Sequence, residues 1–207
     1  SGKSQVYKEI GFYYFSQYHL HLQLKDAVDY AHKKGIVLKG DIPIGISRNS
    51  CDALVAPDMY NMCWQAGAPP DDFTAVGQNW GFPTYNWKKM QEDGFAWWKQ
   101  RFEQMSNYFD AFRIDHILWF FRIWSIPANA VQGILGRFVP CLPVHINEFG
   151  ENGIWFDYQR YCRPYINDQV LDEVFGELDE EVKEKFLIPN DFEGYDLLPE
   201  YETQRQV

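Results

Sequence analysis

The residues best placed to do chemistry lie in one short stretch, Tyr108-Phe109-Asp110-Ala111-Phe112-Arg113-Ile114-Asp115-His116. Its second half reads as a buried strand. Alternate residues of a strand face the same way, so Arg113 and Asp115, two apart, are delivered to one end together. A guanidinium beside a carboxylate favours the ionised acid. An anionic Asp115 then serves as a nucleophile or as a stabiliser of developing positive charge. The competing reading of Arg-x-Asp by itself is an ion pair that only holds structure together.

The elements that must position this stretch are legible on either side of it. Leu20, Leu24, Ala27, Val28 and Ala31 recur at helical spacing, and Lys33-Lys34-Gly35 supplies cations and a glycine at the stop, predicting a helix of about four turns. Ile36-Val37-Leu38 follows as a short apolar strand of the kind buried in a parallel sheet, with Asp41 at its carboxyl end. The pattern repeats: Phe95, Trp98, Phe102, Met105 and Phe109 mark a helical face, and residues 112–115 form the next strand. Two helix-then-strand units predict an α/β fold with a parallel sheet or barrel, whose active residues gather at the carboxyl ends of strands. Residues 46–93, rich in Gly, Pro, Asn and Trp, are too long for a simple connection and too aromatic for disorder. In that loop Trp80, Phe82, Tyr85 and Trp87 either stack on the apolar faces of sugar rings or pack the loop down. Residues 120–127 read as core or loop packing. Asn167 or Asp168 caps a short helix through Phe175, residues 178–187 form another, and the aperiodic tail from residue 190 reads as a surface segment.

Composition narrows the function classes. A net charge of -10 offers no basic patch for phosphates, which argues against nucleic acid and anionic membrane as partners. With 8 Trp, 13 Tyr and 16 Phe, the chain has more flat apolar surface than a core of this size requires, so some is expected at a binding surface. No run of 18 apolar residues and no signal-peptide pattern occurs, which predicts a soluble protein. Cys51, Cys63, Cys141 and Cys162 fit neither a CxxC metal pattern nor a dense disulfide framework, so reduced thiols in a cytoplasmic protein are expected. His19 and His21, two apart, point to different sides of a helix and make a poor metal pair. No P-loop, GxGxxG or Gly-x-Ser-x-Gly is present, and no cofactor is implied.

Phe112-Arg113-Ile114-Asp115-His116 resembles the nucleophile strand of the 4-alpha-glucanotransferases of glycoside hydrolase family 77, the amylomaltases or disproportionating enzymes. Lys39-Gly40-Asp41-Ile42-Pro43-Ile44-Gly45 is similar to a second family motif. A third runs from Gly67-Ala68-Pro69-Pro70-Asp71 through Gly77-Gln78-Asn79-Trp80-Gly81-Phe82-Pro83-Thr84-Tyr85-Asn86-Trp87. The likeness covers roughly residues 10–170. It is nearest the cytosolic plant-type enzymes, including Phe120-Phe121-Arg122-Ile123-Trp124 and Gly153-Ile154-Trp155. It implies part of a (β/α)8 TIM barrel with long loop insertions, residues 1–165 carrying the nucleophile strand and 166–207 beginning a helical insert or surface segment. Such a barrel needs about 250 residues, so the 207 here would be a piece whose remaining barrel lies elsewhere in the full-length protein.

The resemblance also implies transfer of α-1,4-glucosyl units between maltooligosaccharides by a retaining double displacement. Asp115 would be the nucleophile and Arg113 its aligning partner. Asp41, His116, Asp71, Gln78, Asn79 and Trp80 would contact the α-glucan. Glu148 and Glu151 are poor matches for the family's general acid, which is expected beyond residue 207, leaving this stretch inactive alone. Three positions depart from what the resemblance implies: Asp72 for a usual Tyr, Ser47 for the Asp usual in the plant-type enzymes, and Trp119 for a Gly that commonly follows the nucleophile strand, where its bulk would either narrow the site or mark divergence from activity. An α-amylase-type hydrolase and a non-catalytic α-glucan-binding module are the alternatives.

Overall fold

The computed structural model describes residues 2–207, with side chains from Gln5 onward. In chain order the elements are α1 (Gly2–Lys33), β1 (Lys39–Ile42), α2 (Cys51–Val55), β2 (Tyr60–Asn61), β3 (Trp64–Ala68), β4 (Gln78–Asn79), β5 (Thr84–Tyr85), α3 (Trp87–Glu92), α4 (Ala96–Met105), β6 (Ala111–Ile114), β7 (Ile123–Pro127), β8 (Arg137–Val139), α5 (Ile146–Glu151), α6 (Tyr158–Cys162), α7 (Asp168–Phe175), α8 (Asp179–Phe186), β9 (Leu187–Pro189) and β10 (Tyr195–Leu197). They belong to two compact units, the first made of residues 1–62 and 81–121, the second of residues 63–80 and 122–207.

In the first unit α1 stops where expected. The N–H of Gly35 bonds to the His32 carbonyl at 2.9 Å and that of Ile36 to Ala31 at 3.0 Å, a Schellman closure that places Gly35 at φ +73°. The helix runs 32 residues rather than four turns, because the stretch before Leu20 contains no proline to break it even though it lacks an apolar stripe. The following strand begins three residues later than the apolar run suggested. Ile36 and Val37 are exposed, and ladder pairing starts only at Lys39. β1 and β6 pair in parallel, in the register Lys39–Ala111, Gly40–Phe112, Asp41–Arg113 and Ile42–Ile114.

Beneath that pair lies an aromatic core. Trp98 of α4 packs against Tyr85, Trp87, Phe102 and Phe120, and Trp119 against Phe82 and Tyr85, with ring centroids 5.2–6.1 Å apart. Part of the aromatic content is therefore spent inside this unit, while other rings, among them Tyr7, Tyr14, Phe73 and Trp155, are exposed. Residues 46–93 are likewise not a bare loop: they build α2, β2, β5 and α3 here and send β3 and β4 into the second unit. Strand β6 is more exposed than the buried strand expected, since β1 is its one ladder partner among the described residues.

The second unit centres on an antiparallel sheet in the order β4-β3-β7-β8. Ala66 and Ile126 are fully buried on adjacent strands, so residues 123–127 are a sheet strand rather than loop packing. Asn167 caps α7 by accepting from Val170 N–H at 2.9 Å, as expected. The tail expected to be irregular forms a hairpin, with β9 and β10 pairing antiparallel. The described residues thus hold mixed helix and sheet with a helix-fed parallel pair, and no closed barrel.

Two glycines of the β1 segment have a steric reason to be there. A Cβ on Gly40 would collide with the Phe109 ring, and one on Gly45 with the Phe82 ring. Overpacking of this kind costs about 1–3 kcal/mol, so Gly45→Ala is expected to destabilise the protein by that amount in urea unfolding. Combining it with Phe82→Leu should cost less than the sum of the two single changes. Strictly additive losses would contradict the contact.

Candidate functional site

Residues Asp41, Arg113, Asp115 and His116 all lie in the first unit, and the β1–β6 ladder explains three of their positions. Because Asp41 and Arg113 are register partners, their side chains leave the same face of the pair, and the carboxylate meets the guanidinium at 2.8 Å. Both side chains are more than half exposed, so the pair contributes little to stability, on the order of 0–1 kcal/mol. Its effect is orientation. The sequence expected Arg113 to lie beside Asp115; the recorded ion pair of Arg113 is with Asp41 instead.

Asp115 follows immediately after β6. Its Oδ1 accepts the N–H of His116 at 3.1 Å, and its Oδ2 lies 3.4 Å from His116 Nε2. His116 has φ 48°, in the left-handed region uncommon for residues other than glycine. That kink ends the strand and starts the turn of 3-10 helix at Ile117–Phe120. It leaves the Asp115 carboxylate at the carboxyl end of a parallel strand, about half exposed. A carboxylate so placed can reach a bound ligand, and backbone strain beside it is the kind that clusters at working sites.

The segment after β1 is fixed by residues the sequence reading had not singled out for it. Tyr85 O–H donates to the Ile44 carbonyl at 2.7 Å, and Arg101 Nη2 donates to the Pro43 carbonyl. Arg101 Nη1 also donates to the Tyr85 oxygen at 3.5 Å, while the guanidinium lies over the Trp97 and Trp98 rings at 5.0 and 5.2 Å. Burial pushes the Tyr85 phenol up to about 12, with the Arg101 charge pulling the other way, so the hydroxyl stays a neutral donor. No periodicity announces this lock; a Tyr in a turn-rich stretch gives no hint of its partner. Trp119 is also buried, 2% exposed, against Phe82 and Tyr85. The bulk expected to narrow a site is instead core.

The remaining site candidates sit in the second unit. Asp71 Oδ1 accepts from the N–H groups of Phe73 and Thr74 at 2.9 and 2.8 Å, closing its own turn. Gln78 Oε1 accepts from Trp80 Nε1 at 2.9 Å, and Asn79 Nδ2 donates to the Val131 carbonyl at 3.0 Å. Close backbone approach forces the glycines here: a Cβ on Gly67 or Gly133 would collide with the Gln78 backbone. Trp80 is partly exposed, whereas Tyr85 is buried and Phe82 and Trp87 pack in the first unit's core. Of the four loop aromatics only Tyr85 is fully buried; Trp80, Phe82 and Trp87 each keep part of their surface accessible. Glu148 caps α5, its Oε1 accepting the His145 N–H at 2.9 Å. All four cysteines are exposed and free. Among the described residues no cluster of three His, Cys, Asp or Glu could hold a metal, and no helix is long and apolar enough to cross a membrane.

Over 198 residues the chain is 45% identical to a 4-alpha-glucanotransferase of Oryza sativa subsp. japonica, covering 96% of this chain and 21% of that protein. A 4-alpha-glucanotransferase of Chlamydia pneumoniae is 36% identical over 139 residues, which is 67% of this chain and 26% of the relative. The chain thus spans about a fifth to a quarter of the length of these relatives. Among solved structures, the amylomaltase from Streptococcus agalactiae in complex with acarbose superposes with a TM-score of 0.56 at 28% identity, over 74% of this chain and 32% of that one. The family model described as 4-alpha-glucanotransferase matches residues 1–186, and the chain accordingly belongs to that family, glycoside hydrolase family 77.

Proposed function

We propose that the protein containing these residues is a 4-alpha-glucanotransferase that passes α-1,4-linked glucosyl units from one maltooligosaccharide or glucan to another. The observation that carries this reading is the family match across residues 1–186, which includes β1, β6 and Asp115. The acarbose bound by the Streptococcus relative supports an α-glucan as the ligand class. In the same reading residues 1–165 are part of a (β/α)8 barrel, residues 166–207 begin an insert, and the protein works in the cytoplasm.

Each assigned residue then has a task. Asp115 attacks the anomeric carbon as the glycosidic bond breaks, giving a covalent glucosyl ester, while a second carboxyl group about 5 Å away protonates the departing oxygen. An acceptor sugar hydroxyl, deprotonated by that second group, then displaces Asp115. Arg113 keeps Asp41 aligned on the same strand pair, and Asp41 and His116 hold sugar hydroxyls beside the reacting carbon. Trp80 offers its indole to a sugar ring, and Gln78, Asn79 and Asp71 shape the turn that presents it. Glu148 is occupied in capping α5 and suits the acid role poorly.

Two outcomes test the roles. In the full-length protein, Asp115→Asn removes the attacking anion with little change of volume. Disproportionation of maltotriose should fall below about a hundredth of wild type, and activity retained above that level would remove Asp115 from the nucleophile role. Trp80→Ala should weaken maltoheptaose binding by about 1–3 kcal/mol in a calorimetric titration; unchanged affinity with a lower melting temperature would make Trp80 a packing residue.

A further inference from the structure

Asp110 has no part in the chemistry above, yet three elements meet at its carboxylate. Its Oδ2 accepts the backbone N–H of Leu38 at 3.0 Å and lies 2.9 Å from Nε2 of His32, in the last turn of α1. The N–H of Asp110 in turn donates to the Leu38 carbonyl at 2.9 Å. The residues just ahead of β1 and β6 therefore grip each other through two hydrogen bonds, one rung before the first ladder pair Lys39–Ala111. The carboxylate takes a Leu38 N–H that the ladder itself leaves without a strand acceptor.

The same helix holds the approach to β6 at two more points. His21 Nδ1 lies 2.7 Å from the Tyr108 hydroxyl, and Lys25 Nζ donates to the Asn107 carbonyl at 3.5 Å. Positions 21, 25 and 32 are spaced by four and seven, so they share one face of α1. Register matters here because strand side chains alternate. A slip of one residue would turn Asp41 away from Arg113 and carry Asp115 about 3.3 Å along the strand axis. Hydrogen bonds to an ionised acceptor are roughly twice as strong as neutral ones. The Leu38 N–H, followed by His32, holds the Asp110 carboxyl below the usual carboxylate range, so the acceptor is charged at neutral pH.

We propose that Asp110, braced by His32, is a positioning residue for glucosyl transfer: it sets the β1–β6 register that places the Asp115 carboxylate against the anomeric carbon. The proposal rests on the reading of Asp115 as nucleophile. A misplacement near 1 Å can cost about 100-fold in rate, so loss of the clamp should be read in turnover.

The test uses the full-length protein and maltotriose, with kcat expressed per folded molecule. Asp110→Ala should lower kcat by about tenfold or more, with KM within about twofold of wild type. Asp110→Asn keeps an oxygen for the Leu38 N–H but loses the charge, and should fall between the two. Unchanged kcat in Asp110→Ala, or a loss confined to KM or to melting temperature, would overturn the proposal. Should Asp110→Ala fail to fold, Asp110→Asn and His32→Ala decide, and full turnover in both overturns it. Asp115→Asn run alongside separates the two ideas: an active Asp115→Asn removes the nucleophile reading itself, whereas an inactive one beside a fully active Asp110→Ala removes only the positioning role.

Discussion

In the parallel ladder between β1 and β6, two segments some seventy residues apart in sequence are brought together so that Asp41 opposes Arg113 and Asp115 emerges one residue past the end. Closing so long a loop costs entropy that four ladder pairs must offset. The ladder has help at both ends. At its entrance the Asp110 carboxylate and the Leu38 backbone lock together; at its exit Tyr85 and Arg101 take the carbonyls of Ile44 and Pro43. Between these fixtures the chemistry-bearing side chains are largely exposed, as groups that must meet a ligand have to be.

The packing beneath the ladder gives the family motifs a physical meaning. Gly40 and Gly45 are not there for backbone freedom, since neither has a positive φ. They make room for the Phe109 and Phe82 rings, which come from the segment before β6 and from the aromatic run. The three motifs are thus complementary surfaces of one arrangement: the glycines of the Lys39–Gly45 motif receive one aromatic just ahead of the Phe112–His116 motif and another from the run that ends at Trp87. Trp119 fits the same account. A bulky residue stands where the family resemblance implied a glycine, and it is absorbed by the core around Phe82 and Tyr85.

How much of this was legible in the sequence depends on the kind of signal. The stop of α1 was readable because Lys33-Lys34-Gly35 encodes a local hydrogen-bonding solution. The cap at Asn167 was readable for the same reason. The parallel pairing followed from two helix-then-strand repeats. The start of β1 was not readable, because an apolar run marks burial only when something covers it, and Ile36 and Val37 are exposed. The partner of Arg113 was missed because spacing within a strand says which face a residue takes but nothing about the facing strand. Hydrogen bonds such as Asp110 to His32, 78 residues apart, leave no periodic trace at all.

The central claim is that the β1–β6 pair presents Asp115 as the attacking carboxylate of a retaining glucosyl transfer, and the covalent intermediate tests it most directly. The full-length protein would be incubated with 5-fluoro-α-D-glucosyl fluoride, which forms the glycosyl ester but slows its breakdown, then digested and mapped by mass spectrometry. The account predicts a fluoroglucosyl adduct on Asp115 in the peptide containing Phe112-Arg113-Ile114-Asp115-His116. An adduct on a different carboxylate, or transfer that proceeds with inversion at the anomeric carbon and leaves no adduct, would contradict it.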